Sequence, residues 1–142
     1  MDKIYVVYWS QSGNTQAMAE AIGQGITDAG KEAEVIPVGS ASVDLLKDAK
    51  VFALGCPAMG AEVLEESEME PFVMELEGSV SGKTLALFGS YGWGDGQWMR
   101  DWEERMIGAG AALLNGEGLI CNEAPDDDTL QECNYLGKQM AG

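Results

Sequence analysis

The stretch Ile4-Tyr5-Val6-Val7-Tyr8-Trp9, followed at once by Ser10-Gln11-Ser12-Gly13-Asn14-Thr15, decides the reading of this chain. The first six residues form an unbroken apolar and aromatic run, rich in β-formers. Such a run reads as a central parallel strand covered on both faces. From Asn14 to Ala29 the pattern changes: Met18, Ile22, Ile26 and Ala29 recur at spacings of three and four, the stripe of an amphipathic helix closed by Gly30. The six residues between are the turn from strand to helix. The first N–H groups of a helix lack internal partners, and the helix dipole makes that end electropositive. Ser10, Ser12, Asn14 and Thr15 add short polar side chains, and Gly13 permits a sharp turn and a close approach. The result is a cradle for a phosphate. A plain alternative is a turn whose Ser and Asn residues only cap the helix.

The cradle holds no Lys or Arg. It lacks the G-K-[ST] ending of a nucleotide-hydrolysing loop and the G-x-G-x-x-G of a dinucleotide site. It suits one terminal phosphate held by neutral donors.

Downstream, Ala33–Val38 reads as an edge strand, and Ser42–Leu46 as a short helix or turn. Lys50–Cys56 is a second buried strand, and Lys83–Gly89 a third. Between them lies an acidic segment with Glu62, Glu65, Glu66, Glu68, Glu70, Glu75 and Glu77. Phe72, Val73 and Leu76 sit there at helical spacing, and Pro71 suits a first turn. Most of these acids read as a solvated helix face. Trp98, Trp102 and Met106 follow at i, i+4 and i+8 on a helix closing near Gly108, where they read as core. Trp93, between glycines, has little local packing. Ala111–Leu114 and Leu119–Cys121 are one interrupted strand or two short pieces. A last helix opens at Asp126–Asp128, with Leu130, Cys133 and Leu136 on its buried face.

The alternation of strand and helix through five strands predicts an α/β protein, a three-layer α/β/α sandwich on a parallel sheet. At 142 residues and 15.1 kDa, residues 1–142 read as a single domain with a full core. In such sheets ligands bind at the carboxyl ends of the strands. Three unusual loops fall there: 10–15, 57–62 and 90–96.

With 24 acids against 8 bases, the formal net charge is −16. That charge repels nucleic acid and suits steering toward basic partners. There is no His, so the commonest general base and metal ligand is missing. Three cysteines, Cys56, Cys121 and Cys133, form no C-x-x-C pair and read as reduced thiols of the cytoplasm. No apolar run reaches membrane-spanning length. No catalytic set and no metal ligand set is expected.

Three motifs together carry a resemblance: Trp9-Ser10-Gln11-Ser12-Gly13-Asn14-Thr15, then Gly55-Cys56-Pro57-Ala58-Met59-Gly60-Ala61-Glu62, then Phe88-Gly89-Ser90-Tyr91-Gly92-Trp93-Gly94. In this order and at these distances they resemble the flavodoxins, in particular the short-chain type of anaerobic bacteria such as clostridia. The resemblance runs over nearly the whole chain. It implies noncovalently bound FMN, a five-stranded sheet in the order 2-1-3-4-5, and one-electron transfer at low potential between the semiquinone and hydroquinone states. It implies an electron carrier rather than an enzyme.

By that resemblance, Ser10, Gln11, Ser12, Gly13, Asn14 and Thr15 hold the phosphate, and Pro57, Ala58, Ser90 and Tyr91 line the ribityl chain. Met59 and Gly60 lie against one flavin face, and Trp93, in its loop with Gly92 and Gly94, covers the other. Glu62 accepts from the flavin N3–H, and Asn122 adds a contact near the ribityl chain or the ring edge. The family often has an acid where this chain has Ala61. Gly60 tolerates positive φ, so its peptide can turn toward flavin N5. A unit charge about 6 Å from the reduced ring raises its energy by roughly 0.7 kcal/mol in water-like screening, on the order of 30 mV for one electron.

The expected partners are basic-surfaced reductases and iron–sulfur oxidoreductases, met transiently by a monomer. Neither nucleic acid nor membrane is an expected partner. Two alternatives stand beside this reading. A quinone or NAD(P)H reductase on the same fold needs room beside the ring, which Met59 and Trp93 would close. A receiver-type signalling domain needs clustered Asp at the strand ends, where this chain has Ser, Gly and Pro.

Overall fold

A computed structural model describes residues 3–60 and 63–142. The strands are β1 (Lys3–Tyr8), β2 (Glu32–Pro37), β3 (Val51–Gly55), β4 (Thr84–Tyr91), β5 (Ala112–Leu113) and β6 (Leu119–Asn122). The helices are α1 (Asn14–Asp28), α2 (Met69–Leu76), α3 (Gln97–Gly108) and α4 (Asp127–Ala141). Every strand pairing is parallel, and the order is β2-β1-β3-β4-β5. β5 pairs with β4 at Thr84–Leu85, and β6 pairs with the same strand further along, at Phe88–Tyr91. They are thus two pieces of one interrupted edge strand, and the expected order 2-1-3-4-5 is the observed one. Asn115, between them, has φ 65° inside a short 3-10 turn.

The period-two alternation of buried strands sorts the core into two layers. Val7, Phe52, Leu54, Leu85 and Leu87 face α2 and α3, where they meet Leu76, Trp98, Trp102 and Met106. Ile4, Val6, Ala53, Ala86 and Phe88 face α1 and α4, where they meet Met18, Ile22, Ile26, Cys133, Leu136 and Met140. Trp98 and Trp102 are core, as their helical spacing requires. Leu130 is only half-buried, and Gly137 and Met140 complete the buried face of α4.

One boundary and one burial pattern correct the sequence reading. β4 runs on to Tyr91, so Ser90 and Tyr91 are strand residues and not loop residues. Their pairing with Cys121 and Asn122 of β6 extends the strand, a non-local effect. The acidic segment is also less uniformly solvated than expected. Glu65 is buried, and Glu70 and Glu77 both pair with Arg105 on α3.

Candidate functional site

β1 and β3 are neighbours in the sheet, but the chain leaves β1 toward β2 on the other side. This reversal opens a crevice at the carboxyl ends of the strands. A cleft of about 490 Å³ lies there. Its walls are Ser10, Gln11, Ser12, Asn14 and Thr15 from the first loop, Pro57, Ala58 and Met59 from the second, and Ser90, Tyr91 and Gly92 from the third. Three stretches separated by dozens of residues therefore converge on one space.

The first loop is built around the Ser10 hydroxyl. Its Oγ accepts from the N–H of Gly13 at 3.1 Å and of Gln16 at 3.3 Å. Gly13 takes φ 96° and caps α1 with its own carbonyl, which accepts from the N–H of Ala17. The amides of Asn14 and Thr15 meet no acceptor among the described residues. Two free amides at a helix N-terminus, ringed by Ser and Asn side chains, suit a phosphate dianion without any cationic side chain. The donor set therefore fits the phosphate end of FMN. Behind it, Thr15 Oγ1 and Ser90 Oγ lie 3.0 Å apart, both buried. Another cleft, of about 540 Å³ beside α4, is bordered by Glu117 and Glu132, whose charge disfavours an anion.

The second and third loops rest on Cys56. Its N–H donates to Phe88 O at 3.1 Å, and its carbonyl accepts from Trp98 Nε1 at 3.0 Å. Ala58 N–H donates to Ser90 O at 3.0 Å, which joins the two loops directly. Tyr91 packs on Trp98 with ring centroids 5.5 Å apart and planes tilted by 48°. Burial pushes the Cys56 thiol up to about 12, so it remains a neutral packing group.

Gly13, Gly60, Trp93, Gly94 and Asn122 do not line the cleft wall. Gly60 takes φ 46° at the tip of its loop. Trp93 is 58% exposed, one residue beyond Gly92. Asn122 is exposed at the end of β6, in register with Tyr91. Glu62, with Ala61, lies outside the described residues. Two wall residues escaped the sequence reading: Glu123 and Ala124. Glu123 takes φ 59°, and its N–H donates to Tyr91 O at 2.7 Å. The turn signal at Asn122–Pro125, just past a strand, was the available clue.

Fold and cleft together define an open parallel α/β protein whose anion-suited crevice lies at the β1/β3 reversal. The family model described as Flavodoxin matches residues 6–135. The chain is 50% identical to the flavodoxin of Clostridium beijerinckii over 96% of this chain and 97% of that one. It is 43% identical to the flavodoxin of Megasphaera elsdenii over 97% and 98%. The solution structure of two-electron reduced Megasphaera elsdenii flavodoxin superposes with a TM-score of 0.88, covering 97% of this chain and 98% of that one. A flavodoxin from the domain Archaea, 37% identical, gives 0.87 over 99% and 96%. The chain belongs to the flavodoxin family. Flavodoxins bind FMN and carry electrons between redox proteins; they are not enzymes, and the reductase alternative is not favoured.

Proposed function

We propose that FMN binds in the cleft at the β1/β3 reversal and serves there as a low-potential one-electron centre. One observation carries the placement: the free amides of Asn14 and Thr15 open onto the same space as Met59 and Tyr91. Bound FMN supplies uptake and release of electrons one at a time. The chain supplies everything else. Ser10, Ser12, Asn14 and Thr15 hold the phosphate by neutral donors, so no cation offsets the charge of the reduced ring. Pro57, Ala58, Ser90 and Tyr91 line the ribityl chain. Met59 and Gly60 lie on one side of the ring and Trp93 on the other, excluding water from its faces. Asn122, beside the Glu123 turn, adds a contact near the ribityl chain or the ring edge.

The low potential rests on the net charge of −16. Asp95 contributes little of it, because its carboxylate pairs with Arg100 at 2.9 Å. An exposed pair of this kind nearly cancels at the distance of the ring.

Partners are read as basic-surfaced reductases and iron–sulfur oxidoreductases, which opposite charge steers into brief encounters. Residues 1–142 are read as one monomeric domain, supported by a single sheet that carries both core layers. The three free, buried cysteines support a reducing, cytoplasmic setting. Among the described residues no helix is long and apolar enough to cross a membrane.

Stepwise anaerobic reduction of the FMN-loaded protein tests the reading. Two resolved one-electron steps, one FMN per chain and electron exchange that slows as salt rises are expected. A single two-electron step with rapid oxidation of NAD(P)H would move the function to a reductase.

A further inference from the structure

Among the described acids of the segment after β3, Glu65 stands apart. It is 6% exposed, while Glu66, Glu68 and Glu75 are exposed. Its Oε1 accepts from the N–H of Glu68 at 2.7 Å and of Met69 at 3.0 Å. Its Oε2 accepts from the N–H of Ser67 at 2.8 Å and from the Ser67 hydroxyl. Burial by itself raises the carboxyl pKa, but these donors, led by the Ser67 hydroxyl, outweigh it and hold the group below its ordinary value. The α2 N-cap residue, Glu68, makes no side-chain cap of its own. A carboxylate from four residues before the helix therefore organises its start.

The backbone of Glu65 is fixed as firmly as its side chain. Its N–H donates to Cys56 Sγ at 3.4 Å, and its carbonyl accepts from Glu70 N–H at 2.8 Å. Cys56 is itself locked to β4 and α3. The chain between Cys56 and Glu65 is thus a loop with both feet in one place. Within it Met59 and Val63 exchange hydrogen bonds of 2.9 and 3.0 Å, an antiparallel bridge with Gly60 near its tip. The segment also reaches the phosphate loop, because Glu68 Oε1 accepts from Trp9 Nε1 at 3.1 Å and Trp9 precedes Ser10.

We propose that Glu65 is the positioning residue of the Met59–Gly60 turn: its buried carboxylate fastens the end of the loop to the start of α2, which holds the Glu65 N–H against Cys56 and so sets where the turn stands beside the flavin. This rests on the reading of that turn as one wall of the FMN site. Glu65 does not line the cleft and acts through the backbone it holds.

The test compares FMN-loaded wild type with Glu65→Gln, Ser67→Ala and Glu66→Gln. The readouts are amide exchange at Met59, Gly60 and Val63, the FMN Kd, and the two one-electron potentials. A Gln presents an NH₂ group to amides that need an acceptor. Glu65→Gln is expected to speed exchange at Met59 and Val63 at least tenfold. It should raise the FMN Kd about tenfold, which is about 1.4 kcal/mol, and narrow the gap between the potentials. Ser67→Ala, which removes one donor and no charge, is expected to act in the same direction and less. Glu66→Gln removes one exposed charge and is expected to leave exchange unchanged.

A lower Tm for Glu65→Gln with unchanged exchange and an unchanged gap would reduce the residue to a cap of α2 and overturn the proposal. Wild-type Met59 and Gly60 amides that do not respond to FMN would overturn the wall reading, and this proposal with it. Should Glu65→Gln not fold, Ser67→Ala is judged by the same criteria.

Discussion

Thr15 and Ser90, 75 residues apart in the chain, share a hydrogen bond of 3.0 Å between two buried hydroxyls at the base of the cleft. The bond ties the first turn of α1 to the end of β4, so the phosphate loop and the third loop share one footing. Thr15→Val keeps the shape and the β-branch and removes the hydroxyl. Ser90 then loses a buried partner, and the expected stability loss is about 1 kcal/mol. The FMN Kd is expected to rise five- to thirtyfold, about 1–2 kcal/mol. Urea denaturation of the apoprotein and flavin-fluorescence titration measure the two effects separately. A loss of stability with unchanged Kd would leave Thr15 a structural residue only.

Trp93 separates binding from folding. At 58% exposure it contributes little to the core. Trp93→Ala is expected to shift apoprotein stability by less than about 0.5 kcal/mol. It should weaken FMN binding about tenfold, through lost stacking and lost cover, and raise the potential of the last reduction step. Unchanged affinity and potential would remove Trp93 from the site.

Gly60 offers a test of conformation without a clash. Its φ is 46°, and a Cβ built there meets none of the described residues within 4 Å. Substitution therefore acts chiefly through backbone preference. Gly60→Thr carries the penalty of a β-branched residue at positive φ, about 1–2 kcal/mol or more, while Gly60→Asn tolerates that region. The gap between the two one-electron potentials is expected to narrow for Thr and to stay near wild type for Asn. Equal gaps in all three proteins would dissociate the turn from the flavin.

How far the sequence carried this reading follows from which interactions are local. Buried strands and helical stripes write their period into the chain, so the three-layer sandwich on a parallel sheet was legible, whereas the order 2-1-3-4-5 came only with the resemblance to the flavodoxins. The phosphate loop was legible too, because a strand, a hydroxyl-rich turn and a helix start lie side by side in sequence. The burial of Glu65 was not. Its spacing matches that of its solvated neighbours, and only the return of the loop onto Cys56 takes it out of water. Glu123 and Ala124 were missed for a similar reason. Their place in the wall depends on β6 pairing far along β4, which a short interrupted strand does not announce.

The buried thiols give the fold a pH signature. Burial pushes Cys56 and Cys133 up to about 12, against 9.0 for a free thiol. Between those values the unfolded chain has lost protons that the folded chain retains. Stability therefore falls as the pH rises from about 9 toward 12, with a slope of up to about 1.4 kcal/mol per pH unit for each thiol. The comparison that isolates the effect is wild type against Cys133→Ala. The variant is expected to lose stability less steeply above pH 9 in denaturant titrations. Parallel curves would mean that the thiol ionises as readily in the folded state.

The packing of α1 on α4 sets two physical effects against each other at Gly25. Ala is favoured over Gly in a helix interior by about 1 kcal/mol, so propensity alone makes Gly25→Ala stabilising. A Cβ at Gly25, however, would meet the Asn134 carbonyl, with its carbon at 2.8 Å, and Gly137 stands in the same relation to Ile22 across the interface. These obstacles are backbone, which cannot swing aside as a side chain can. Forcing the helices apart costs about 1–3 kcal/mol or more, which exceeds the gain in propensity. Gly108, in the last turn of α3, provides the contrast: it is exposed, and a Cβ there meets nothing within 4 Å. Gly25→Ala is therefore expected to lower the stability measured in urea, and Gly108→Ala to raise it by about 0.4–1 kcal/mol. A stabilised Gly25→Ala would mean that α1 and α4 do not approach this closely, and that the layer behind the phosphate loop is looser than the Gly25–Asn134 contact implies.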